Sequence, residues 1–234
     1  MTIGGLQKVT LIDYPGKIAC TVFLSRCNFR CPFCYSKELV LEEEIKKHPQ
    51  IGQEEFFSFL EQKIGLLDAC VVCGGEPTLN PDLNEFLKRI KEMGFLIKID
   101  TNGYLPEKLK ELIDKNLVDY IAMDIKAPLV KERYSQATGI DIDLQRIKSS
   151  IDLIKNSGLD YEFRTTLVPG IHTKEDVIAI AGTIGPAKRY FLQSFHGEKG
   201  TIDSSLEGRK PLPEEEIKEA IKEISSLFEV CKLR

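Results

Sequence analysis

The stretch that decides the fold is Cys27-Asn28-Phe29-Arg30-Cys31-Pro32-Phe33-Cys34, which places three thiols within eight residues. It follows residues 18–24, an apolar and β-branched run that predicts a buried strand. The stretch is too short for a helix of useful length, so we expect a loop at the carboxyl end of that strand. In parallel α/β sheets this end of the strands carries the ligand site. The three thiols are therefore candidate ligands of a metal centre.

The spacing of these thiols favours an iron–sulfur cluster over other metal sites. Such clusters are usually closed by four thiolates, so a [4Fe–4S] cluster on Cys27, Cys31 and Cys34 would keep one iron open for an exogenous ligand. A zinc site needs a fourth ligand, and neither His48 nor a later cysteine lies at the short paired spacing of zinc modules. Three buried structural cysteines are the remaining alternative.

The other four of the seven cysteines predict no second cluster. Cys70 and Cys73 lie in one apolar run, where they point to opposite faces of a strand, and we interpret both as core residues. Cys20 and Cys231 have no partner at ligand spacing. An odd cysteine count without a secretory signal favours metal-binding or catalytic thiols over structural disulfides.

Six apolar, β-rich runs alternate with helical patterns along the chain. The predicted strands cover residues 18–24, 69–73, 95–99, 118–125, 161–168 and 189–195, and the predicted helices between them cover residues 54–64, 83–93, 106–115, 144–157 and 174–184. This order predicts right-handed βα crossovers in a parallel sheet. Six units are too few for a closed eight-stranded barrel, which leaves an open partial barrel or a doubly wound sheet.

We expect a single domain over residues 1–234, with a last helix at about residues 214–229 packed on its outside. Residues 196–213 are rich in Gly, Ser and charge and predict a mobile loop. The net charge is −4 with Lys and Arg spread along the chain, so neither nucleic acid nor an anionic membrane is an expected partner. The start of the sequence lacks a secretory signal, and a cytoplasmic location is expected.

The cysteine motif resembles that of the radical S-adenosylmethionine (SAM) superfamily. Three residues separate the first two cysteines and two separate the last pair, with Phe33 before the third cysteine and Tyr35 after it. The resemblance implies an α/β fold, a partial (β/α)6 barrel, and a [4Fe–4S] cluster whose open iron is chelated by the amino and carboxylate groups of SAM. It also implies that Tyr35 lies by the adenine.

A SAM site needs acceptors for an ammonium, cations for a carboxylate and acceptors for ribose hydroxyls. Gly74-Gly75-Glu76-Pro77 follows the second predicted strand and matches the family's glycine-rich motif for the amino group; a plain turn is the alternative. Asp100 and Asn102 end the third strand. Together, Gly74, Gly75, Glu76, Asp100 and Asn102 are candidate SAM ligands.

The fourth and fifth strands carry further polar side chains at their ends. Asp124 and Lys126 lie two residues apart and share a strand face, so Asp124 is a candidate for the ribose hydroxyls and Lys126 for the methionyl carboxylate. An exposed ion pair is the alternative. Arg164 shares a face of the fifth strand with Glu162 and Thr166 and resembles the family's strand-five arginine near SAM.

Two more residues follow from the resemblance. Val168 falls where backbone contacts to adenine are expected. His196 resembles the histidine that approaches the SAM carboxylate in related activating enzymes, with a solvated surface histidine as the alternative.

Beyond the cluster motif, residues 11–17, 96–103, 120–128, 162–169 and 192–195 look like the small activating proteins of anaerobic ribonucleoside-triphosphate reductases. Ser25-Arg26 departs from that pattern, since relatives often carry a glycine before the first cysteine. The resemblance implies a 5′-deoxyadenosyl radical that removes the α-hydrogen from a glycine on a loop of the partner reductase, with Lys126, Asp124 and Arg164 at the reaction centre. It also implies an electron donor such as flavodoxin or ferredoxin.

Two other functions stay open on the sequence. One is a radical SAM reaction on a small molecule, as in deazapurine biosynthesis; the other is an iron–sulfur electron carrier. A carrier needs neither an open iron nor the constellation of Gly74, Glu76, Asp124 and Lys126. The last helix separates the first two functions. If it packs on the convex face and leaves a groove long enough for several residues, a peptide substrate is favoured; if it plugs the cleft over Lys126 and Arg164, a small molecule is favoured.

Overall fold

The computed structural model describes residues 1–234, apart from the side chain of Lys199. The strands are β1 (Ile3–Thr10), β2 (Ala19–Leu24), β3 (Ala69–Gly74), β4 (Leu96–Thr101), β5 (Tyr120–Asp124), β6 (Asp160–Leu167), β7 (Ala187–Ser194) and β8 (Phe228–Leu233). Neighbouring strands in the sheet order are also neighbours along the chain. In the described part of the chain no helix is both long and apolar enough to cross a membrane.

Helices connect most of these strands. They are α1 (Lys37–Val40), α2 (Glu42–Lys47), α3 (Gln53–Glu61), α4 (Leu83–Glu92), α5 (Pro106–Asp114), α6 (Lys131–Thr138), α7 (Leu144–Lys155), α8 (Lys174–Ile184) and α9 (Glu214–Ile224). Each longer helix buries one apolar stripe; in α4, for example, Leu83, Phe86, Leu87 and Ile90 are buried. The strand–helix alternation that the sequence predicts is thus confirmed.

The chain divides into two compact units. Unit 1 comprises Met1–Asn28, Ser36–Thr101 and Leu105–Ile121. In it β1 pairs antiparallel with β2, and β2, β3 and β4 are parallel. The one-domain prediction for residues 1–234 is not tested by this division.

Unit 2 comprises Phe29–Tyr35, Asn102–Tyr104 and Ala122–Arg234. Its strands β6, β7 and β8 are parallel. Helix α8 begins with a capping box in which Thr173 and Asp176 bond each other's backbone N–H groups. The last helix, α9, packs beside α8 and against β8, and Lys174 of α8 pairs with Glu219 and Glu223 of α9.

Two strands were not predicted, and the last helix is shorter than predicted. β1 contains Gly4 and Gly5, which weaken a strand pattern. The last helix ends at Ile224 rather than near residue 229, because Ser225–Leu227 forms a 3₁₀ turn and Phe228–Leu233 then pairs with β7. Strand β8 follows a helical pattern without a Gly or Pro break, so only pairing with β7 defines it.

Candidate active site

Three charged side chains of unit 2 form an ion triad at the ends of β5 and β6. Arg164 donates from Nε to Oδ1 of Asp124 over 2.8 Å, and Lys126 Nζ donates to Oδ2 of the same carboxylate over 3.1 Å. The exposed fractions of the three side chains are 12% for Arg164, 27% for Asp124 and 19% for Lys126. The predicted shared face of Asp124 and Lys126 is confirmed, and Arg164 joins them from the neighbouring strand.

The opposite charges of the triad stabilise one another. Burial raises the pKa of Asp124, but the charges of Arg164 and Lys126 outweigh burial and hold that pKa below its usual range. Burial lowers the pKa of Lys126, but the negative charges of Asp124 and Cys31 outweigh it and raise the pKa above its usual range. All three groups of the triad are therefore charged near neutral pH.

The backbone of Lys126 is fixed from both sides. Its N–H donates to the hydroxyl of Tyr134 over 3.3 Å, and its carbonyl oxygen lies 2.8 Å from Nε2 of His172. Both partner side chains are buried. Neither Tyr134 nor His172 was predicted from sequence, because both lie outside the strand-end pattern and reach Lys126 only through the fold.

Two of the three motif cysteines lie in unit 2, on the loop Phe29–Tyr35. Cys34 donates its backbone N–H to the Cys31 carbonyl over 3.0 Å, which closes a tight turn, and Arg30 donates to the Thr138 carbonyl over 2.8 Å. Cys31 is buried on this loop. Cys27 belongs to unit 1.

The segment predicted as a mobile loop is anchored on the cysteine loop. Ile202 donates its N–H to the Cys34 carbonyl over 3.2 Å, and Asp203 donates to the Pro32 carbonyl over 2.9 Å. Thr201 is fully buried. The composition of residues 196–213 suggested mobility, but backbone donors in the segment satisfy carbonyls of the cysteine loop.

Tyr35 and His196 meet at the start of the same segment. The Tyr35 hydroxyl accepts a hydrogen bond from the backbone N–H of His196, and its ring stacks on Phe195 at a centroid distance of 5.7 Å. Burial raises the pKa of Tyr35. The His196 ring is 52% exposed and its Nδ1 lies 3.1 Å from Oε1 of Glu198. Contacts of Tyr35 and His196 with SAM stay predictions.

A second carboxylate on β6 carries two arginines. Glu162 is fully buried, and its Oε1 lies 3.0 Å from Nη1 of Arg234 and 3.9 Å from Nη1 of Arg164. The Arg234 guanidinium also stacks on the Phe191 ring at 3.3 Å from its centroid. Arg234, the residue that follows the unpredicted strand β8, thus adds a cation to the polar face of β6.

In unit 1, the two glycines of the predicted SAM motif are required by the chain itself. Gly74 has φ +117°, and a Cβ there would lie 2.3 Å from the Leu24 carbonyl oxygen. A Cβ on Gly75 would lie 2.1 Å from the Arg26 carbonyl oxygen. The carboxylate of Glu76 is fully buried and its Oε1 accepts from Thr78 N and Oγ1 and from Thr101 Oγ1. Their contacts with the SAM amino group stay predictions.

The remaining predicted ligands have protein partners. Asp100 pairs with the buried Lys98 over 2.6 Å within unit 1. In unit 2, Asn102 Oδ1 accepts from Tyr104 N over 3.0 Å, as in an Asx turn. The N–H of Val168 donates to Nδ1 of His172 over 3.0 Å, so this donor is engaged within the protein. Contacts of Asp100, Asn102 and Val168 with SAM stay predictions.

The cysteines predicted as core residues lie in the core or beside it. Cys20 and Cys70 are fully buried and lie side by side on β2 and β3. This contact raises the pKa of Cys70. Cys73 packs against a small buried cluster that includes Tyr14 and Tyr120. Sequence spacing did not reveal the Cys20–Cys70 pair, because it depends on strand register.

A match to a protein family assigns the chain to its superfamily. The model of the radical SAM superfamily matches residues 21–184, about seven-tenths of the chain. The chain belongs to the radical SAM superfamily. Members of this superfamily use a [4Fe–4S] cluster and SAM, and the chain is a radical SAM enzyme with the family's partial barrel fold.

Sequence relatives narrow the position of the chain within the superfamily. It is 36% identical over 218 residues to a Methanocaldococcus jannaschii protein named "Putative glycyl-radical enzyme activating enzyme", with 91% of this chain and 87% of that protein covered. It is 27% identical to the GTP 3',8-cyclase of Aliarcobacter butzleri, over 75% of this chain and 55% of the cyclase.

Solved structures confirm the fold. The crystal structure of Streptococcus suis SuiB bound to S-adenosylmethionine superposes with a TM-score of 0.67 at 13% sequence identity. The match covers 91% of this chain and 51% of SuiB, so the chain spans about half the length of that enzyme.

The donor set of unit 2 fits the family's cofactors. The described residues contain no group of three or more His, Cys, Asp or Glu side chains close enough to hold a single metal ion. A cubane cluster does not require that spacing, because its thiolates bind different iron atoms. Cys31, Cys34 and the cation Lys126 belong to the same unit, which suits a cluster that carries an amino-acid carboxylate.

Proposed function

We propose that this radical SAM enzyme generates a glycyl radical on an anaerobic ribonucleotide reductase. The observation that carries the proposal is the 36% identity, across most of both chains, to the protein named as a glycyl-radical enzyme activating enzyme. The motif blocks at residues 11–17, 96–103, 120–128, 162–169 and 192–195 favour the reductase as partner. The target would be a glycine on a mobile loop of that reductase.

In this proposal Cys27, Cys31 and Cys34 hold the cluster, and the cluster with bound SAM supplies the hydrogen-abstracting radical. Lys126 is the main cation for the SAM carboxylate. Its ammonium has three N–H donors, and the bond to Asp124 occupies one of them. Asp124 holds Lys126 in position and keeps it charged, so the donor is preorganised before SAM arrives.

The proposal includes further SAM contacts. Gly74, Gly75 and Glu76 receive the amino group, Asp100 and Asn102 contribute polar atoms, and Arg164 supports Asp124. Tyr35, Val168 and His196 are placed around the adenine and carboxylate. Family resemblance favours the contacts of the glycine motif, Tyr35, Val168 and His196, whereas Asp100 and Asn102 are proposed from their place at a strand end.

The position of α9 supports a peptide substrate. A small-molecule enzyme would use its last helix to cover Lys126 and Arg164 and exclude water from the radical. Instead α9 packs beside α8, where Lys174 pairs with Glu219 and Glu223. This helix therefore belongs to the outer layer of unit 2.

The proposal includes an external one-electron donor such as flavodoxin or ferredoxin, and a cytoplasmic location. Neither a nucleic acid nor a membrane is a proposed partner, in keeping with a net charge of −4 and dispersed basic residues.

The test is anaerobic reconstitution of the cluster, followed by incubation with SAM, dithionite and an anaerobic ribonucleotide reductase. We expect a glycyl radical signal by electron paramagnetic resonance on the reductase. A reductase whose target glycine is replaced by alanine is the matched control and should give no signal. Absence of the signal with several glycyl radical enzymes would contradict the proposal.

A small-molecule reaction is the second candidate, favoured by the 27% identity to a GTP 3',8-cyclase. It predicts that a metabolite, and not a protein, stimulates SAM cleavage. The same reconstituted enzyme, incubated with GTP or a deazapurine precursor, separates the two functions by product analysis.

A further inference from the structure

We propose that His172 is a positioning residue that holds Lys126 and the cysteine loop in one arrangement, and that it does so as the neutral Nε2–H tautomer. His172 contacts residues that are predicted to hold the cluster and SAM. Its role therefore does not depend on which substrate receives the radical.

The hydrogen bonds of His172 define its tautomer. Nδ1 lies 3.0 Å from the backbone N of Val168, which can only donate, so Nδ1 carries no proton. Nε2 lies 2.8 Å from the carbonyl oxygen of Lys126, which can only accept, so Nε2 carries the proton. The residue is 2% exposed, and water has little access to either bond. The ring therefore joins the chain after β5 to the chain after β6.

The ring also contacts the cysteine loop. The rings of Phe33 and His172 pack edge-on at a centroid distance of 6.2 Å and an angle of 72°. Phe33 is buried and lies between Cys31 and Cys34. One imidazole thus touches the loop with two predicted cluster ligands and bonds the residue predicted to bind the SAM carboxylate.

The turn that carries His172 is itself held in place. The N–H groups of Ile171 and His172 donate to the Val168 carbonyl over 3.0 and 2.8 Å. Arg133 donates to the Ile171 carbonyl over 2.7 Å, and Arg209 donates to the Pro169 carbonyl over 3.1 Å. The ring therefore acts from a fixed base, and its removal would release Lys126 rather than move the turn.

Protonation would break the arrangement, because Nδ1–H would face the Val168 N–H. Burial lowers the pKa of His172 most. The hydrogen bond to the Lys126 carbonyl and the charge of Asp176 raise the pKa, and the charges of Arg133 and Lys126 lower it. Burial prevails, so the neutral form is expected at neutral pH.

The tautomer can be measured in the cluster-free protein by long-range ¹H–¹⁵N NMR, since the chain has three histidines. We expect His172 to appear as the Nε2–H tautomer and to stay neutral below the ordinary histidine pKa of about 6.5. An Nδ1–H tautomer, or protonation of His172 at or above the ordinary histidine pKa, would overturn the inference.

Three variants test positioning against a merely structural role. His172→Phe removes both bonds and should weaken SAM binding to the reconstituted enzyme about tenfold, the usual effect of one buried hydrogen bond. His172→Gln keeps a donor for Lys126, whereas His172→Asn keeps an acceptor for Val168. We expect SAM affinity to be retained better in the Gln variant at similar thermal stability.

The matched control is His48→Gln, because His48 also bonds a backbone carbonyl, that of Gly4 over 2.7 Å, but belongs to unit 1. It should leave SAM affinity unchanged. Wild-type affinity in all three His172 variants would overturn the inference, as would equal losses in Gln and Asn. If the Phe variant does not fold, the NMR result and the Gln–Asn comparison decide. SAM affinity is measured without a partner protein. A wrong assignment of His172 can therefore be distinguished from a wrong assignment of the activation reaction.

Discussion

Arg164 donates from Nε to Oδ1 of Asp124 over 2.8 Å, and this bond ties the polar face of β6 to the end of β5. Ile125 also donates its backbone N–H to the Arg164 carbonyl over 2.8 Å, so the two strands are joined by both backbone and charge. Lys126 occupies the other oxygen of the same carboxylate. One carboxylate thereby positions two cations that a SAM carboxylate could use.

Replacement of Asp124 should make the protein less stable and alter its pH dependence. The folded-state pKa of Asp124 lies below the unfolded value, so its contribution is present above about pH 4 and is lost as the pH falls through the folded-state pKa. Asp124→Ala leaves two partly buried cations without this partner and should lower the free energy of unfolding by about 3 kcal/mol at pH 7.

Urea unfolding of the cluster-free protein between pH 3 and pH 7 measures this effect. The loss of stability toward acid should be smaller in the Asp124 variant than in the wild type. Asp141→Ala is the control, because Asp141 pairs with Lys131 on the surface. Equal stability of wild type and D124A at pH 7 would show that the triad contributes nothing to folding.

The visible absorption of the cluster should distinguish the role of Lys126 from that of Cys31. Lys126→Ala removes a cation but no iron ligand, so the visible absorption of the reconstituted cluster should persist while SAM affinity falls by about 10- to 100-fold. Cys31→Ala should abolish both. Lys131→Ala, which removes an exposed lysine from the same unit, should change neither. Equal loss of absorption in K126A and C31A would assign Lys126 a structural role.

Arg234 should contribute to stability through Glu162. Arg234→Ala removes the 3.0 Å bond to a fully buried carboxylate and the stacking on Phe191, so we expect the free energy of unfolding to fall by about 1 to 3 kcal/mol. The control is Arg189→Ala on β7, which breaks a more exposed pair with Asp160 of β6 and should cause a smaller loss of stability. Chemical denaturation of both variants provides the comparison. Equal losses would indicate that Glu162 does not depend on Arg234.

The sequence predicts the parts of this protein that follow from local period and spacing. Asp124 and Lys126 share a face because strand side chains alternate, and the cysteine spacing alone identifies the superfamily. The bond from Arg164 to Asp124 needs the register between β5 and β6. Three further residues reach the site only through the fold. Helix packing brings Tyr134, a turn brings His172, and the pairing of the unpredicted strand β8 brings Arg234. Residues that are distant in the sequence and meet only in the folded chain cannot be identified from local sequence patterns.

The partner should reveal itself in the rate of SAM cleavage. A glycine that meets a radical at the strand ends must arrive on an extended, mobile peptide, and α9 packs beside α8. We therefore expect deoxyadenosine release by the reconstituted enzyme to rise above its uncoupled rate when the anaerobic reductase or its glycine-loop peptide is added.

The uncoupled rate arises when SAM is cleaved without a bound hydrogen donor, so a correctly placed glycine should raise turnover and a glycine-to-alanine peptide should raise it less. Deuterium from an α-deuterated glycine peptide should appear in deoxyadenosine, which distinguishes hydrogen transfer from a mere binding effect. Stimulation by GTP or another small metabolite, with none by any glycyl radical partner, would exclude the activase function and leave a radical SAM enzyme with a small-molecule substrate.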